Sequence, residues 1–287
     1  MIQNNNFSVL PFYDSLDKQS HRKSYAYNSV FPLISHTDMF IPFQVMVPSS
    51  YSSSPAVFLV DNNSGVRQNV TTAFVEAGFK ATTFDNYKVL VFPAEVPQGL
   101  NLAQGQYYLE LYNDASQKRF SDVFTVVRSV KKYLKLEWWD QKDLIFEKGR
   151  LVYEGGFMNK LFIDSQLGKP EYPFTEEGEE RDGYFFVEKQ ISEKRYKFTF
   201  LAPEYLLDAL RLVRLSDHVF VTDMFGTRYK VDTILFTPKW QTQGNLASVE
   251  VEFETDTVVK KLGNYLGSVG SEGPDFNKDY NNDFNIK

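Results

Sequence analysis

Apolar and polar positions alternate most cleanly between Tyr196 and Glu254. Tyr196-Lys-Phe-Thr-Phe200 alternates aromatic with polar side chains, the period-two pattern of a strand with one buried face. From Pro203 the period changes. Leu206, Leu210 and Val213 fall at i, i+4 and i+7 beside Leu207, which predicts a helix over 203–214 with one apolar face packed on a sheet. Pro203 and Glu204 suit its first turn, and Arg211 and Arg214 suit its last. His218 to Thr222 and Thr227 to Phe236 read as a hairpin around Asp223-Met-Phe-Gly226. After a turn at Gln243-Gly-Asn245, Leu246 to Glu254 sets Ala247, Val249, Val251 and Phe253 against Ser248, Glu250, Glu252 and Glu254.

Nearer the N-terminus, short strand-like runs recur at Phe40–Val47, Ala56–Val60, Val70–Phe74, Tyr87–Phe92, Gln106–Tyr112 and Phe120–Val127. Their spacing, with no competing helix, predicts an antiparallel β-sandwich of immunoglobulin or fibronectin type III character over 36–130. Ser129-Val-Lys-Lys132 marks a boundary where an apolar strand gives way to a basic turn. Beyond it, a second β-rich domain with the one packed helix is expected over 131–262. Leu134, Leu136 and Trp138 share a face there, and Trp139 lies on the other. Glu176-Glu-Gly-Glu-Glu180 reads as a long solvated loop, since no core strand could bury those charges unpaired.

The ends differ from the middle. Residues 1–35 carry apolar anchors such as Phe7 and Phe12 in a polar strip without sustained period, either an arm that docks on a neighbour or an irregular segment packed on its own domain. Residues 263–287 are rich in Gly, Asn, Asp and Ser, and Phe276, Tyr280 and Phe284 recur every four residues there. With Trp139, these aromatic residues form the set of candidate interaction anchors.

Composition narrows the chemistry. The 287 residues suit two domains on the usual ~150-residue scale. Phe 26 and Tyr 17 favour pleated surfaces over helical bundles. A net charge of −6 argues against nucleic-acid binding through bulk electrostatics, which needs a basic face. Absence of cysteine removes disulfides, thiolate nucleophiles and Cys-ligated metals. The N-terminus lacks a basic leader and no apolar run approaches ~20 residues, so neither export nor a membrane span is expected.

Motifs for catalysis are missing as well. His21, His36 and His218 are scattered, without metal-binding spacing, and His218 beside Asp217 reads as a structural histidine. The glutamate run lacks calcium-loop spacing. No phosphate loop, dinucleotide fingerprint or nucleophile elbow occurs. Trp138 and Trp240 read as core residues, while Trp139 keeps open a stacking platform for a sugar ring. No enzyme activity and no cofactor are therefore expected.

Six segments carry a resemblance to known proteins: Leu134-Lys-Leu-Glu-Trp-Trp-Asp140, Tyr153-Glu-Gly-Gly-Phe157, Gly168-Lys-Pro-Glu-Tyr172, Arg181-Asp-Gly-Tyr184, Ala202-Pro-Glu-Tyr-Leu-Leu-Asp-Ala-Leu-Arg211 and Val249-Glu-Val-Glu-Phe-Glu254. Over about 134–262 the chain resembles structural, tail-associated proteins of phages and prophages of Bacteroidetes. The resemblance implies a virion component in the tail or its connector, partnered by other virion proteins and by copies of itself, and it carries no catalytic residues across. The other reading left open is a carbohydrate-binding β-sandwich module with glycosidase activity, for which a glycan would be the partner.

Overall fold

The structure, a computed structural model, describes residues 7–19, 32–37, 40–84, 86–93, 102–113, 117–145, 151–181, 183–240, 246–256 and 259–262. The fold is mainly β. The chain divides into two compact units, Met1–Lys169 with Tyr196–Asp256, and Pro170–Arg195 with Thr257–Lys287.

The first unit begins with ten strands: β1 (Phe12–Tyr13), β2 (Ile34–His36), β3 (Phe43–Pro48), β4 (Ala56–Asp61), β5 (Arg67–Asn69), β6 (Lys80–Thr83), β7 (Tyr87–Phe92), β8 (Gly105–Tyr112), β9 (Lys118–Ser121) and β10 (Phe124–Val127). They form a seven-stranded sheet, centred on β8, and a three-stranded sheet in the order β3-β7-β6. Val57, Leu59, Leu109 and Leu111 of the first sheet and Phe43, Val45, Leu90 and Phe92 of the second join one buried cluster, which makes this part a β-sandwich. Its strands are not all antiparallel, since β2 runs parallel to β10.

Two sequence expectations change here. Val70–Phe74 is not a strand. Thr71–Glu76 forms a short helix, α1, which buries Phe74 against the rings of Phe40, Phe43 and Phe92. The expected run Phe120–Val127 is broken at Asp122-Val123 into β9 and β10, which pair with opposite ends of β8.

The N-terminal strip, where described, belongs to this unit's own fold, so the docking-arm reading fails for Phe7–Gln19. Val9, Leu10 and Phe12 are buried in the main core, and β1 pairs with β9. The backbone N–H of Asp122 donates to the Pro11 carbonyl at 2.9 Å. Gln19 is buried and donates to the Ser121 carbonyl at 2.6 Å. Apolar contact and hydrogen bonding across about a hundred residues of sequence thus compensate for the weak local pattern.

At the expected boundary, 129–132, the chain passes from β10 of the seven-stranded sheet to β11 (Leu134–Trp139) of a six-stranded one. The main core nevertheless continues from Val126 through Leu134, Leu136 and Trp138 to Phe253, and both compact units are delimited elsewhere. The order of the second sheet is β14 (Asn159–Ile163), β11, β18 (His218–Thr222), β19 (Arg228–Trp240), β20 (Leu246–Thr255) and β17 (Arg195–Pro203). A small hairpin, β12 (Leu144–Ile145) with β13 (Leu151–Tyr153), lies between β11 and β14 in sequence. Buried Gln44 ties β3 to that hairpin, donating to the Val152 carbonyl at 3.0 Å and accepting from the Glu154 N–H at 3.1 Å.

Helix α2 (Glu204–Leu210), extended by a 3₁₀ turn at Val213–Leu215, buries Leu206, Leu210 and Val213 as their spacing predicts. Pro203 sits at the cap rather than inside the first turn. The hairpin turn holds: Asp223 Oδ1 accepts from the N–H groups of Phe225 and Thr227, both at 2.9 Å, and Gly226 takes φ +85°, a conformation only glycine adopts freely.

The second unit is a three-stranded sheet, β15 (Phe174–Arg181), β16 (Tyr184–Ser192) and β21 (Val259–Leu262), in that order. The acidic run is therefore no loop. It is a strand whose glutamates stand in solvent, with Glu177 paired to Lys189 at 3.0 Å and Glu176 accepting from Gln190 at 2.7 Å across the hairpin. At the hairpin's foot Glu171 and Arg195 exchange backbone hydrogen bonds of 2.8 and 2.9 Å.

Candidate interaction surface

Two surfaces carry side chains that the cores do not use. The first is the outer face of the six-stranded sheet. Glu137, in the middle of β11, is buried, with Lys135 at 3.1 Å, Lys160 at 3.8 Å and Arg228 at 3.3 Å around its carboxylate. Arg228 also covers the ring of Phe220, 3.9 Å from its centre.

The same construction recurs in the seven-stranded sheet. There Glu110 is buried, paired to Arg67 at 3.0 Å and Lys118 at 3.3 Å, and Arg67 covers Phe58 at 4.0 Å. In both sheets a Phe lies directly opposite the Glu, and the Arg stands two residues before the partner of that Phe on the next strand. Each buried carboxylate is thus compensated by cations, one of them an arginine whose guanidinium lies over an aromatic ring, an arrangement that fastens three adjacent strands. No single strand's sequence displays it, because it depends on the register of three.

Trp139 lies at the end of this face, half-buried, stacked on Phe220 at 5.3 Å and tilted against His218 at 5.1 Å. Its ring is part of an aromatic row. Next to it, buried Asp140 accepts from the Asp217 N–H at 2.9 Å and from the Ser216 hydroxyl at 3.4 Å. Burial pushes the Asp140 carboxyl above the ordinary carboxylate range, opposed by the Asp217 N–H and reinforced by the Asp217 charge. Gln141 donates its N–H to Asp217 at 3.2 Å, and its side chain meets His218 Nε2 at 3.1 Å. These contacts fix the corner between β11 and β18. Among the described residues no group of His, Asp and Glu could hold a metal ion.

The second surface is the three-stranded sheet. Along β15, Phe174, Glu176, Gly178 and Glu180 share one face, and their partners Ser192, Gln190, Val187 and Phe185 point the same way. Val259 of β21 lies opposite Ser192 and extends this face. Phe174 is 58% exposed, Phe185 52% and Val259 67%. Tyr184, by its pairing with Arg181, lies on the opposite face and is 72% exposed. Large apolar side chains thus stand in solvent on both faces of one small sheet, a composition expected of a surface that meets a partner.

The predicted anchors fall in different places. Phe12 is a core residue of the first unit, packed on Phe43 at 4.8 Å, and is closed to any docking role. Phe7 is partly buried against a satellite cluster that includes Tyr153 and Leu212, and its carbonyl accepts from the Tyr153 hydroxyl. Trp139 is committed to the stack above. Phe276, Tyr280 and Phe284 lie outside the described residues. Trp138 is buried as expected, but Trp240 is 50% exposed, although its ladder partner Ala247 is buried. The set of anchors expected from the sequence did not include the aromatic residues of β15 and β16.

No family model and no curated protein matches this chain. Among solved structures, a crystal structure of the ZIG-8–RIG-5 IG1–IG1 heterodimer matches at 14% identity with a TM-score of 0.16, covering 36% of this chain and 89% of that chain. No helix among the described residues is long and apolar enough to cross a membrane.

Proposed function

We propose that the chain is a structural subunit of a phage particle, in the tail or its connector, which assembles with other virion proteins and with copies of itself and performs no catalysis. The observation that carries this reading is the second unit. A sheet gains stability by covering a face, yet Phe174, Tyr184, Phe185 and Val259 are left to solvent on a sheet that has two open edges among the described residues. Such a module is suited to burial against a neighbouring protein. The resemblance of 134–262 to tail-associated proteins of Bacteroidetes phages supports the same reading, and the particle is where the protein would be found.

The test is mass spectrometry of particles purified from cells that carry and release them. Presence of the chain at a constant ratio to the other particle proteins is the expected result. Particles formed and purified without it would overturn the proposal.

A further inference from the structure

Resting on that structural reading, we infer that the β15 edge of one copy pairs with the β21 edge of a second copy, continuing the three-stranded sheet from chain to chain. The sheet order β15-β16-β21 leaves one flank of β15 and one of β21 without a strand neighbour among the described residues. Outward backbone N–H and C=O groups on such edges are a template for another strand. Neither edge contains proline, which is the usual obstacle to added pairing. The register shift in the hairpin places its extra residue, Glu188, on the inner strand β16, so β15 keeps a continuous edge.

Charge selects which edges meet. β15 carries Glu176, Glu177, Glu179 and Glu180 and one base, Arg181, with Glu177 already paired to Lys189 of β16, whereas β21 carries Lys260 and Lys261 and no acid. Two β15 edges would repel each other, and so would two β21 edges. One edge of each kind attracts, and the contact places the uncovered apolar residues of adjacent sheets side by side. The contact is head-to-tail, using different surfaces on the two copies, so it generates a ring where the rotation closes and a filament where it does not. Glutamates that look like protection against edge pairing then act as a selector of the partner edge.

Sedimentation velocity on the full chain over a concentration series tests this, with two charge-reversed variants. One, Glu179→Lys with Glu180→Lys, makes β15 basic; the other, Lys260→Glu with Lys261→Glu, makes β21 acidic. Wild-type protein is expected to associate, and each variant alone to associate at least about tenfold more weakly. Mixing the two variants restores both complementary contacts and is expected to recover association, which also shows that each variant is folded. Unchanged association in either variant, or a mixture as weak as its components, would overturn the edge pairing while leaving the particle reading to its own test. A wild-type chain that stays monomeric at every concentration overturns the edge pairing too, and presence of that chain in particles would then point to other partner proteins.

Discussion

β20 and β15 are both rich in glutamate, and they end in opposite environments. In β20 the acids alternate with Ala247, Val249, Val251 and Phe253, each of which is almost completely buried, so one face builds the core and the other meets water. In β15 the acids come in adjacent pairs, Glu176-Glu177 and Glu179-Glu180, so neither face is free of charge. The parity of charged positions, rather than their number, decides whether a strand can seal a core. In the first unit β17, β18, β20 and α2 have segregated faces. The second is built from strands that cannot segregate, and its stability must come from cross-strand pairing.

The sharpest way to break this comparison is at α2. Leu210 is completely buried in the main core, and Leu210→Ala should cost about 2 to 5 kcal/mol through lost contact and the cavity left behind. Urea denaturation of the full chain measures it. A cost below about 1 kcal/mol would mean that the helix does not seal the six-stranded sheet, and the contrast between the units would lose its stronger half.

Next comes charge. Glu137→Gln removes a buried carboxylate shared by three cations and should cost about 1 to 3 kcal/mol, whereas Glu177→Gln, in an exposed pair with Lys189, should cost less than about 1 kcal/mol. Equal costs would show that the buried arrangement contributes nothing beyond an ordinary surface pair.

How far these features were legible follows from the same reasoning. β17, β20 and α2 were readable because one segment alone displayed the period that its environment later used. Thr71–Glu76 was misread because Thr and Val favour strands and six residues give too little helical period; burial of Phe74 among Phe40, Phe43 and Phe92 selects the helix. The N-terminal strip was left open between a docking arm and a packed segment because what holds Phe12 and Gln19 lies at Phe43 and Ser121, far away in sequence. The candidate surface was missed for a third reason. Charged residues argue against a buried strand, and β15 is a strand whose residues 174–180 all lie exposed.

A smaller effect concerns pH. Burial raises the Asp140 carboxyl above its ordinary value, so between that value and the raised one the folded chain holds a proton that the unfolded chain has released. Stability from this group therefore falls as pH rises through that window. The nearby charges are Asp217, which reinforces the shift, and His218, which opposes it. Asp140→Asn keeps an acceptor for the Asp217 N–H and removes the titration, so its unfolding free energy should vary less with pH across the window than that of the wild type. An unchanged slope would place the titrating group elsewhere.

The smallest effect is the most telling for the comparison. Phe185 is 52% exposed and faces Glu180 across the hairpin. A Phe buried as fully as Phe253 would cost about 3 to 5 kcal/mol on truncation, because contacts and shape are both lost. Phe185→Ser removes only the part of those contacts that the isolated chain makes, so its unfolding free energy should fall by no more than about 1 kcal/mol at a protein concentration low enough to keep it monomeric. The same substitution should weaken association at higher concentration, since an exposed aromatic contributes only when a partner covers it. Differential scanning calorimetry at two concentrations separates these effects. A large loss in the dilute monomer would mean that the chain itself already covers Phe185, and the second unit would then be a sealed part of the fold rather than a surface awaiting a neighbour.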